Sequence, residues 1–204
     1  MSTRLGDYFS SHRILVSRFI GLVFFTLALV TESAHEGSMI ATALFLFGLM
    51  LAVIGTVGRL WCSLYISGYK DSQLVSAGPY SLCRNPLYFF SWIGVTGIGF
   101  ATETFTLGIV LSVLFLIGYV PVIKSEEAFL QSKFGAGFSR YCALTPRFFP
   151  RLSLLTEPDS WTVNPRLFRR TMGDVIWFGW IIGFLEFVEA LHELHILEPL
   201  LRLP

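Results

Sequence analysis

Two polar clusters at the edges of apolar segments contain the residues of this sequence that could do chemistry. The first cluster, Leu74–Tyr88, has a Gly-Pro pair, an Arg-Asn-Pro sequence and two tyrosines, and it runs directly into an apolar segment. The second is the carboxylate pair Glu126 and Glu127, which follows the next apolar segment. Charged groups are costly at the ends of membrane segments unless they bind something. Together the two clusters predict a site for a small polar cofactor at the membrane face.

The sequence Arg84-Asn85-Pro86 predicts the start of a helix. Pro86 suits the first helical turn, and Asn85 then takes the N-cap position before it. The amide groups of a helix N-terminus and the guanidinium of Arg84 can each receive a carboxylate from a ligand. A capped membrane helix beside a snorkelling arginine explains the same residues without any ligand. The sequence is therefore compatible with a ligand site and with a simple helix cap.

The sequence Gly78-Pro79-Tyr80 predicts a turn ahead of that helix. Proline fixes its own φ angle, and a preceding glycine lets the backbone approach a ligand closely. Gly-Pro is also a common turn signal in proteins that bind nothing there. The tripeptide thus supports the cofactor hypothesis only together with its neighbours.

Glu126 and Glu127 point in different directions if they lie on a helix. Adjacent helical residues are about 100° apart, so we expect one carboxylate to face the bundle and the other to face solvent. A carboxylate inside a pocket can hold ribose hydroxyls or an ammonium group. Acidic residues also favour a first helical turn without any ligand. We expect such a helix from Ser125 to about Phe134.

The elements that must position these clusters are apolar segments. The chain of 204 residues is 53% hydrophobic and 14% charged, whereas soluble domains are about 25% charged. The segments are Arg18–Thr31, extended by Ile14–Val16, and Met39–Val57, Leu87–Ala101, Phe105–Ile123 and Val175–Val188. The composition predicts an all-α polytopic membrane protein of about five transmembrane helices. We expect one membrane-embedded domain over residues 1–204, with the cofactor region at about 58–150.

Charge asymmetry predicts the orientation. With the N-terminus placed in the cytoplasm, all of the 15 Lys and Arg residues except Arg202 fall on the cytoplasmic side. Five spans then leave the C-terminus outside, and both polar clusters face the cytoplasm. The net charge of +1, with no basic block containing interleaved aromatics, does not indicate a nucleic-acid partner.

The cysteines and histidines do not form a metal-binding pattern. Cys62, Cys83 and Cys142 have no metal-ligand spacing, and free thiols of this kind are usually buried. His192 and His195 are three residues apart, whereas the zinc protease motif needs four-residue spacing. The sequence therefore predicts no metal site.

The ordered clusters resemble the isoprenylcysteine carboxyl methyltransferase family and the related phospholipid methyltransferases. The resemblance covers roughly Gly58 to Pro150. The matching residues are Gly68, Leu74, Val75, Gly78, Pro79, Tyr80, Arg84, Asn85, Pro86, Leu87, Tyr88, Glu126, Glu127, Phe134, Gly135, Tyr141, Pro146, Arg147 and Phe148. Better-known members have His where this chain has Asn85, and an amide carries no charge at neutral pH.

The resemblance implies an S-adenosyl-L-methionine-dependent methyltransferase with a cytoplasmic cofactor pocket. The cofactor-binding residues it implies are Leu74, Val75, Gly78, Pro79, Tyr80, Arg84, Asn85, Pro86, Tyr88, Glu126, Glu127 and Tyr141. The acceptor would be a lipophilic small molecule or prenylated substrate dissolved in the lipid bilayer, such as the carboxylate of an isoprenylcysteine. The alternatives are a phospholipid N-methyltransferase and a sterol-reductase-like enzyme that uses NADPH.

The catalytic candidates depend on the acceptor. A carboxylate acceptor needs a cation to orient it, and Arg147 and Arg140 are the candidates. An amine acceptor must lose a proton, which Glu126 or Glu127 could take. Glycines could leave a gap for the lipid tail, or they could be close helix contacts. These glycines are Gly94, Gly97, Gly99 and Gly108. We also expect the segment Trp161–Arg170 to shape the acceptor site.

Overall fold

The computed structural model of the protein describes residues 15, 18–69 and 72–204, except for the side chains of residues 174 and 175. The helices are α1 (Arg18–Val30), α2 (Met39–Ile66), α3 (Pro79–Leu82), α4 (Pro86–Phe100), α5 (Phe105–Phe134), α6 (Ala136–Leu144) and α7 (Pro165–Glu193). A short 3₁₀ helix covers Leu152–Leu154, and two strands cover β1 (Thr31–Ser33) and β2 (Leu201–Leu203). Of the predicted extension Ile14–Val16, only Leu15 lies within the described residues.

The helices confirm the predicted all-α membrane architecture. In the described part of the chain, α2, α5 and α7 are long and apolar enough to cross a membrane, and α1 and α4 are apolar but shorter. The 15 residues of α4 extend about 22 Å, less than the roughly 30 Å of a hydrocarbon core. The third apolar segment is therefore a short helix.

Glycines let the backbones of α2 and α4 touch. A Cβ atom on Gly48 would lie 2.4 Å from the backbone nitrogen of Ala101, and one on Gly97 would lie 2.6 Å from that of Ala52. A Cβ on Gly55 would lie 2.6 Å from the backbone of α4. Small residues at such contacts allow the close packing that holds membrane helices together. This pair of helices is thus the tightest contact that supports the site.

The expectation that glycines leave a gap for a lipid tail is wrong. Gly94 meets the ring of Phe178 on α7, and Gly99 and Gly108 lie within van der Waals distance of each other between α4 and α5. The space that a side chain would fill at these positions is taken by neighbouring backbone or by an aromatic ring. These glycines are packing residues.

α5 is one continuous helix of 30 residues that ends at Phe134. The predicted stretch from Ser125 to about Phe134 is therefore helical, but it continues the helix of the fourth apolar segment instead of starting a new one. Pro121 lies inside α5 and removes one backbone donor without ending the helix. The Glu, Ala, Leu, Gln and Lys residues that follow are good helix formers. The C-cap of α5 is Gly135, whose φ of +51° favours glycine. The same helix therefore runs from the apolar bundle to the carboxylate pair.

Arg59 lies on α2 and points into the bundle. It donates a hydrogen bond to Ser91 Oγ on α4, and its guanidinium carbon lies 5.9 Å from the centre of the Phe178 ring on α7. A cation over an aromatic face is stabilised by the ring quadrupole. Arg59 thus links three helices at the level just below the site.

β1 and β2 form a parallel pair that the sequence did not predict. Three residues of each strand pair at the end of the bundle where α1 ends and α2 begins. Runs this short carry no periodicity that could distinguish a strand from a loop. The polar clusters lie at the opposite end of α2, so the pair does not contribute to the site.

Candidate functional site

The two polar clusters meet at one end of the bundle. α4 begins with Pro86 buried at its first turn, and this places Tyr88 against α5. The Tyr88 hydroxyl donates a hydrogen bond to Glu126 Oε2 at 2.7 Å. Residues separated by 38 positions in the chain are thereby held in direct contact.

Asn85 occupies the predicted N-cap position, but its side chain does not cap the helix. Its amide nitrogen donates instead to Glu127 Oε1 at 3.1 Å and to the backbone carbonyl of Arg147 at 3.0 Å. The prediction of a capping role is wrong because two tertiary acceptors take the amide group. Asn85 is buried and connects α4 to α5 and to the segment that follows α6.

Glu127 binds two arginines. Its Oε2 lies 2.7 Å from Arg147 Nη2, and its Oε1 lies 3.5 Å from Arg84 Nη1. The Glu127 side chain is only 14% exposed, so water screens these ion pairs less than it screens surface pairs. The expectation that one carboxylate of the pair faces solvent is wrong, because Glu126 binds Tyr88 while Glu127 binds the arginines.

A cavity lies beside these contacts, and most of the predicted cofactor residues line it. We call it the cofactor cavity after that prediction. The predicted residues that line it are Leu74, Val75, Tyr80, Arg84, Asn85, Tyr88, Glu126 and Tyr141. Leu87, which belongs to the first cluster but was not predicted to bind the cofactor, also lines it. The lining residues outside the two clusters are Ile66, Tyr69, Gln73 and Leu130. No local sequence pattern marked these four.

Two buried polar atoms on this cavity have no hydrogen-bond partner among the described residues. They are the hydroxyl of Tyr80 and Nε of Arg84. Burial raises the pKa of Tyr80 well above its ordinary value, so this phenol stays protonated and can donate. An unsatisfied buried donor costs about 1–3 kcal/mol, and native proteins contain few of them. Two such donors on one cavity are available to a polar ligand.

The segment from Tyr141 onward holds the cavity together. The Tyr141 hydroxyl donates to the backbone carbonyl of Tyr80 at 2.6 Å, and burial raises the pKa of Tyr141. The backbone nitrogen of Arg84 donates to the carbonyl of Pro146 at 2.8 Å, and Arg84 Nη1 donates to Cys142 Sγ at 2.7 Å. These contacts bring Arg147 back to Glu127.

Four predicted cofactor residues do not line the cavity: Glu127, which binds its two arginines, and the buried residues Gly78, Pro79 and Pro86. Pro79 and Pro86 are fully buried, and Gly78 has a φ of +58°. A Cβ on Gly78 would lie 2.3 Å from the ring of Tyr65. The close approach that Gly78 permits is therefore to Tyr65, and not to a ligand.

The two candidate arginines lie in different places. Arg147 binds Glu127, as described above. Arg140 is exposed on α6 and lines a different cavity together with Ser81, Leu144 and Leu154. The structure thus brings Arg147, and not Arg140, to the carboxylate pair.

A second cavity, which we call the outer apolar cavity, lies on the other side of Arg147. It is lined by Phe115, Leu116, Tyr119, Val120, Ile123, Arg147, Phe148 and Phe149. Of the described residues in this lining, Arg147 is the one that carries a charge. The Tyr119 ring lies 5.4 Å from that of Tyr88, so the two cavities are neighbours. Nothing in the apolar sequence of α5 distinguished Phe115 or Tyr119 from other span residues.

Trp161 lies by the cofactor cavity. Its ring is 5.1 Å from that of Tyr65 and 5.2 Å from that of Tyr69, and its Nε1 donates to the carbonyl of Tyr65 at 3.1 Å. The outer apolar cavity contains no residue of the segment Trp161–Arg170. Trp161 thus packs against residues beside the cofactor cavity, and the acceptor role expected for the segment stays a prediction.

Comparison with known proteins places the site in a family context. A family model described as phospholipid methyltransferase matches residues 37–137, which include both polar clusters. The chain is 37% identical over 203 residues to the cobalt-zinc-cadmium resistance protein CzcN of Cupriavidus metallidurans, a match that covers 100% of this chain and 94% of that protein. It is 39% identical over 174 residues to the nickel-cobalt-cadmium resistance protein NccN of Alcaligenes xylosoxydans xylosoxydans, with 85% and 81% coverage. No solved structure matches.

Proposed function

Because this chain belongs to the phospholipid methyltransferase family, we propose that it is an integral-membrane methyltransferase that uses S-adenosyl-L-methionine and acts on a lipophilic acceptor. The observation that carries the proposal is the cofactor cavity with its two unsatisfied donors, Tyr80 Oη and Arg84 Nε. S-adenosyl-L-methionine would supply a methyl group already activated by its positive sulfur.

The cavity residues match the polar groups of this cofactor. Tyr80 and Arg84 would donate to its carboxylate, since both present unused N–H or O–H groups. Glu126, held by Tyr88, would accept from its ammonium group or ribose hydroxyls. Leu74, Val75, Leu87 and Leu130 provide the apolar wall that a purine ring needs.

We propose a carboxylate as the acceptor, as in the isoprenylcysteine enzymes. A carboxylate is ionised at neutral pH, so one of its oxygens forms the new C–O bond as the C–S bond breaks. The electron pair of that bond goes to sulfur, and no proton moves. Arg147 would orient the carboxylate, because a guanidinium has five donors and Glu127 uses only part of them. Alignment is then the main task of the protein.

The geometry argues against an amine acceptor. An amine must lose a proton, but Glu127 is already bound by Arg84, Asn85 and Arg147, and Glu126 accepts from Tyr88. Taking the proton would therefore disrupt contacts that these carboxylates already make. Charge also argues against NADPH, because Arg84 is the one cationic residue among the described residues that line the cofactor cavity. A dinucleotide with several phosphates would need more cations.

A binding titration tests the cofactor assignment. Purified protein in detergent should bind S-adenosyl-L-methionine and S-adenosylhomocysteine in a calorimeter and should ignore NADPH. Replacing Tyr80 by Phe removes one donor and should weaken binding by about fivefold or more. Arg166→Ala, at an exposed position on α7, is the matched control. Binding of NADPH, or equal binding by Tyr80→Phe and the parent, would contradict the assignment.

The relatives suggest a physiological role in metal resistance. Both carry names of metal-resistance proteins and are similar over most of this chain. In the residues that the structure describes, no group of three or more His, Cys, Asp or Glu could hold a metal ion. We therefore propose that methylation of a membrane component, and not metal binding, supports resistance. A strain lacking the protein should grow poorly with cobalt or cadmium salts, and Glu127→Gln should fail to restore growth.

A further inference from the structure

The outer apolar cavity continues into a second apolar cavity past two stacked rings. The inner apolar cavity is lined by Ile20, Gly21, Phe24, Val95, Ile98, Leu111, Phe115, Tyr119 and Ile181. Phe115 and Tyr119 line both cavities. Their rings stack with centroids 4.0 Å apart and planes 12° from parallel. The pair thus forms a wall between two spaces of about 200 Å³ and 130 Å³.

We propose that Phe115 and Tyr119 set the length of the apolar tail that the acceptor site takes. The inference rests on the proposed function and deepens it by naming the substrate class: a carboxylate that carries a hydrocarbon tail of limited length. The carboxylate would lie at Arg147, and the tail would fill the outer apolar cavity as far as the ring pair.

Charge and position select this occupant. Among the described residues that line either apolar cavity, Arg147 is the one that is charged, and it pairs with Glu127 next to the cofactor cavity. The α5 residues that line the two cavities run from Leu111 to Ile123, about 18 Å along the helix axis. An anionic head at Arg147 therefore directs a tail along α5, first past Ile123 and then towards the rings.

The ring pair is a firm boundary. Phe115 is 3% exposed and Tyr119 is 9% exposed, and both belong to the main buried cluster of the bundle. Displacing packed core side chains costs about 1–3 kcal/mol. A tail that stops short of the rings avoids this cost, whereas a longer tail must displace them to reach the inner apolar cavity.

Phe115 is the better of the two residues to vary. The Tyr119 ring also contacts the ring of Tyr88, which holds Glu126 in the cofactor cavity. A change at Tyr119 would therefore disturb the cofactor and the acceptor together. Phe115 lines the two apolar cavities and is not among the residues that line the cofactor cavity.

The test uses N-acetylcysteine thioethers that carry prenyl, geranyl, farnesyl and geranylgeranyl tails. Methyl transfer from labelled S-adenosyl-L-methionine gives kcat/KM for each tail. We expect the parent to prefer one tail length. Phe115→Ala should raise kcat/KM for the next longer tail, relative to kcat/KM for the preferred tail, by about tenfold or more. Gly21→Leu should do the opposite without touching the rings. It fills the inner apolar cavity, where a Cβ meets nothing within 4 Å.

The control and a second readout keep the test decisive. Ile117 lies on α5 and is 67% exposed, so Ile117→Ala should keep the parent's tail preference. Phe115→Leu replaces Phe115→Ala if the larger change prevents folding. Thermal shift of each variant with each thioether reports tail binding without methyl transfer.

The outcomes separate the two claims. The length rule states that the ring pair sets the tail length. It fails alone if Phe115→Ala, Phe115→Leu and Gly21→Leu still transfer methyl groups but keep the parent's tail preference. Absence of both cofactor binding and methyl transfer with every tail would overturn the proposed function and the length rule with it. Thermal stabilisation that is the same for all tails would mean that bilayer lipid fills the cavities, and would also overturn the rule.

Discussion

Asn85 joins three parts of the candidate site through one side chain. Its amide binds the carboxylate of Glu127 and the backbone of Arg147, and so fixes the ion pair that faces the outer apolar cavity. An amide does this without titrating. The arrangement around Arg147 should therefore not change with protonation at position 85.

Replacing Asn85 by His should add a pH dependence. The neighbouring Glu127 carboxylate would raise the pKa of the new imidazole above its ordinary value of about 6.5. A raised folded-state pKa gives stability that is present at low pH and is lost as pH rises through that pKa. The melting temperature of Asn85→His, relative to the parent, should fall between about pH 6 and pH 8. If the melting temperatures of both proteins change in the same way across this pH range, the contact between position 85 and Glu127 is contradicted.

Glu127 and Glu126 should respond differently to loss of charge. Glu127→Gln leaves Arg84 and Arg147 without their shared counter-ion and should cost about 1–3 kcal/mol of stability. Glu126→Gln keeps an oxygen that can accept from Tyr88, so its cost should be smaller. Chemical or thermal unfolding in detergent compares the two. Equal losses would show that the ion pairs do not stabilise the folded protein.

The site residues could be predicted from sequence only as an ordered set. Nothing in the spacing of Glu127 and Arg147 indicates that they pair, because one lies on a helix and the other in the segment after α6. Local rules even misassigned Asn85, since a capping preference cannot anticipate a carboxylate brought in from α5. Tyr119 gave no signal because it lies within an apolar run. The family resemblance indicated which residues belong to the candidate site, and the tertiary contacts show which of them pair.

At the scale of helices, the contact between α2 and α4 depends on glycines. A methyl group on Gly97 would meet the backbone of α2 at 2.6 Å, and a backbone cannot rotate away as a side chain can. Gly97→Ala should therefore destabilise the protein by about 1–3 kcal/mol or more. Gly183→Ala on α7 is the control, since its Cβ meets nothing within 4 Å and alanine favours helix. Equal melting temperatures for both variants would contradict the close packing.

The apolar segments predicted the membrane helices well, but not their ends. Hydropathy located all five apolar helices because a membrane helix needs a long apolar run. It could not show that α5 continues beyond Ile123, since helical hydrogen bonding persists after the apolar run ends. Hydropathy also missed β1 and β2. These three-residue strands pair because the end of α1 and the last residues of the chain lie side by side.

At the scale of the whole molecule, we expect the cofactor cavity to face the cytoplasm. The distribution of Lys and Arg gives this orientation, although Arg4, Arg13 and Lys70 lie outside the described residues. Leu152, near the site, and Leu200, beside β2, are 79% and 77% exposed and suit single-cysteine labelling. A membrane-impermeant maleimide should label Leu200→Cys in intact cells and Leu152→Cys only after permeabilisation. The reverse pattern would invert the topology.

The continuity of α5 has a consequence for how this sequence can change over time. Glu126 and Glu127 keep a fixed rotation relative to Phe115 and Tyr119, because all four belong to one continuous helix that Pro121 does not end. Inserting or deleting a single residue between Tyr119 and Glu126 would turn the carboxylates by about 100° around the axis. Tyr88 and the arginines would then face the wrong side chains. A substitution in this stretch keeps the rotation of the carboxylates, whereas a change in its length does not.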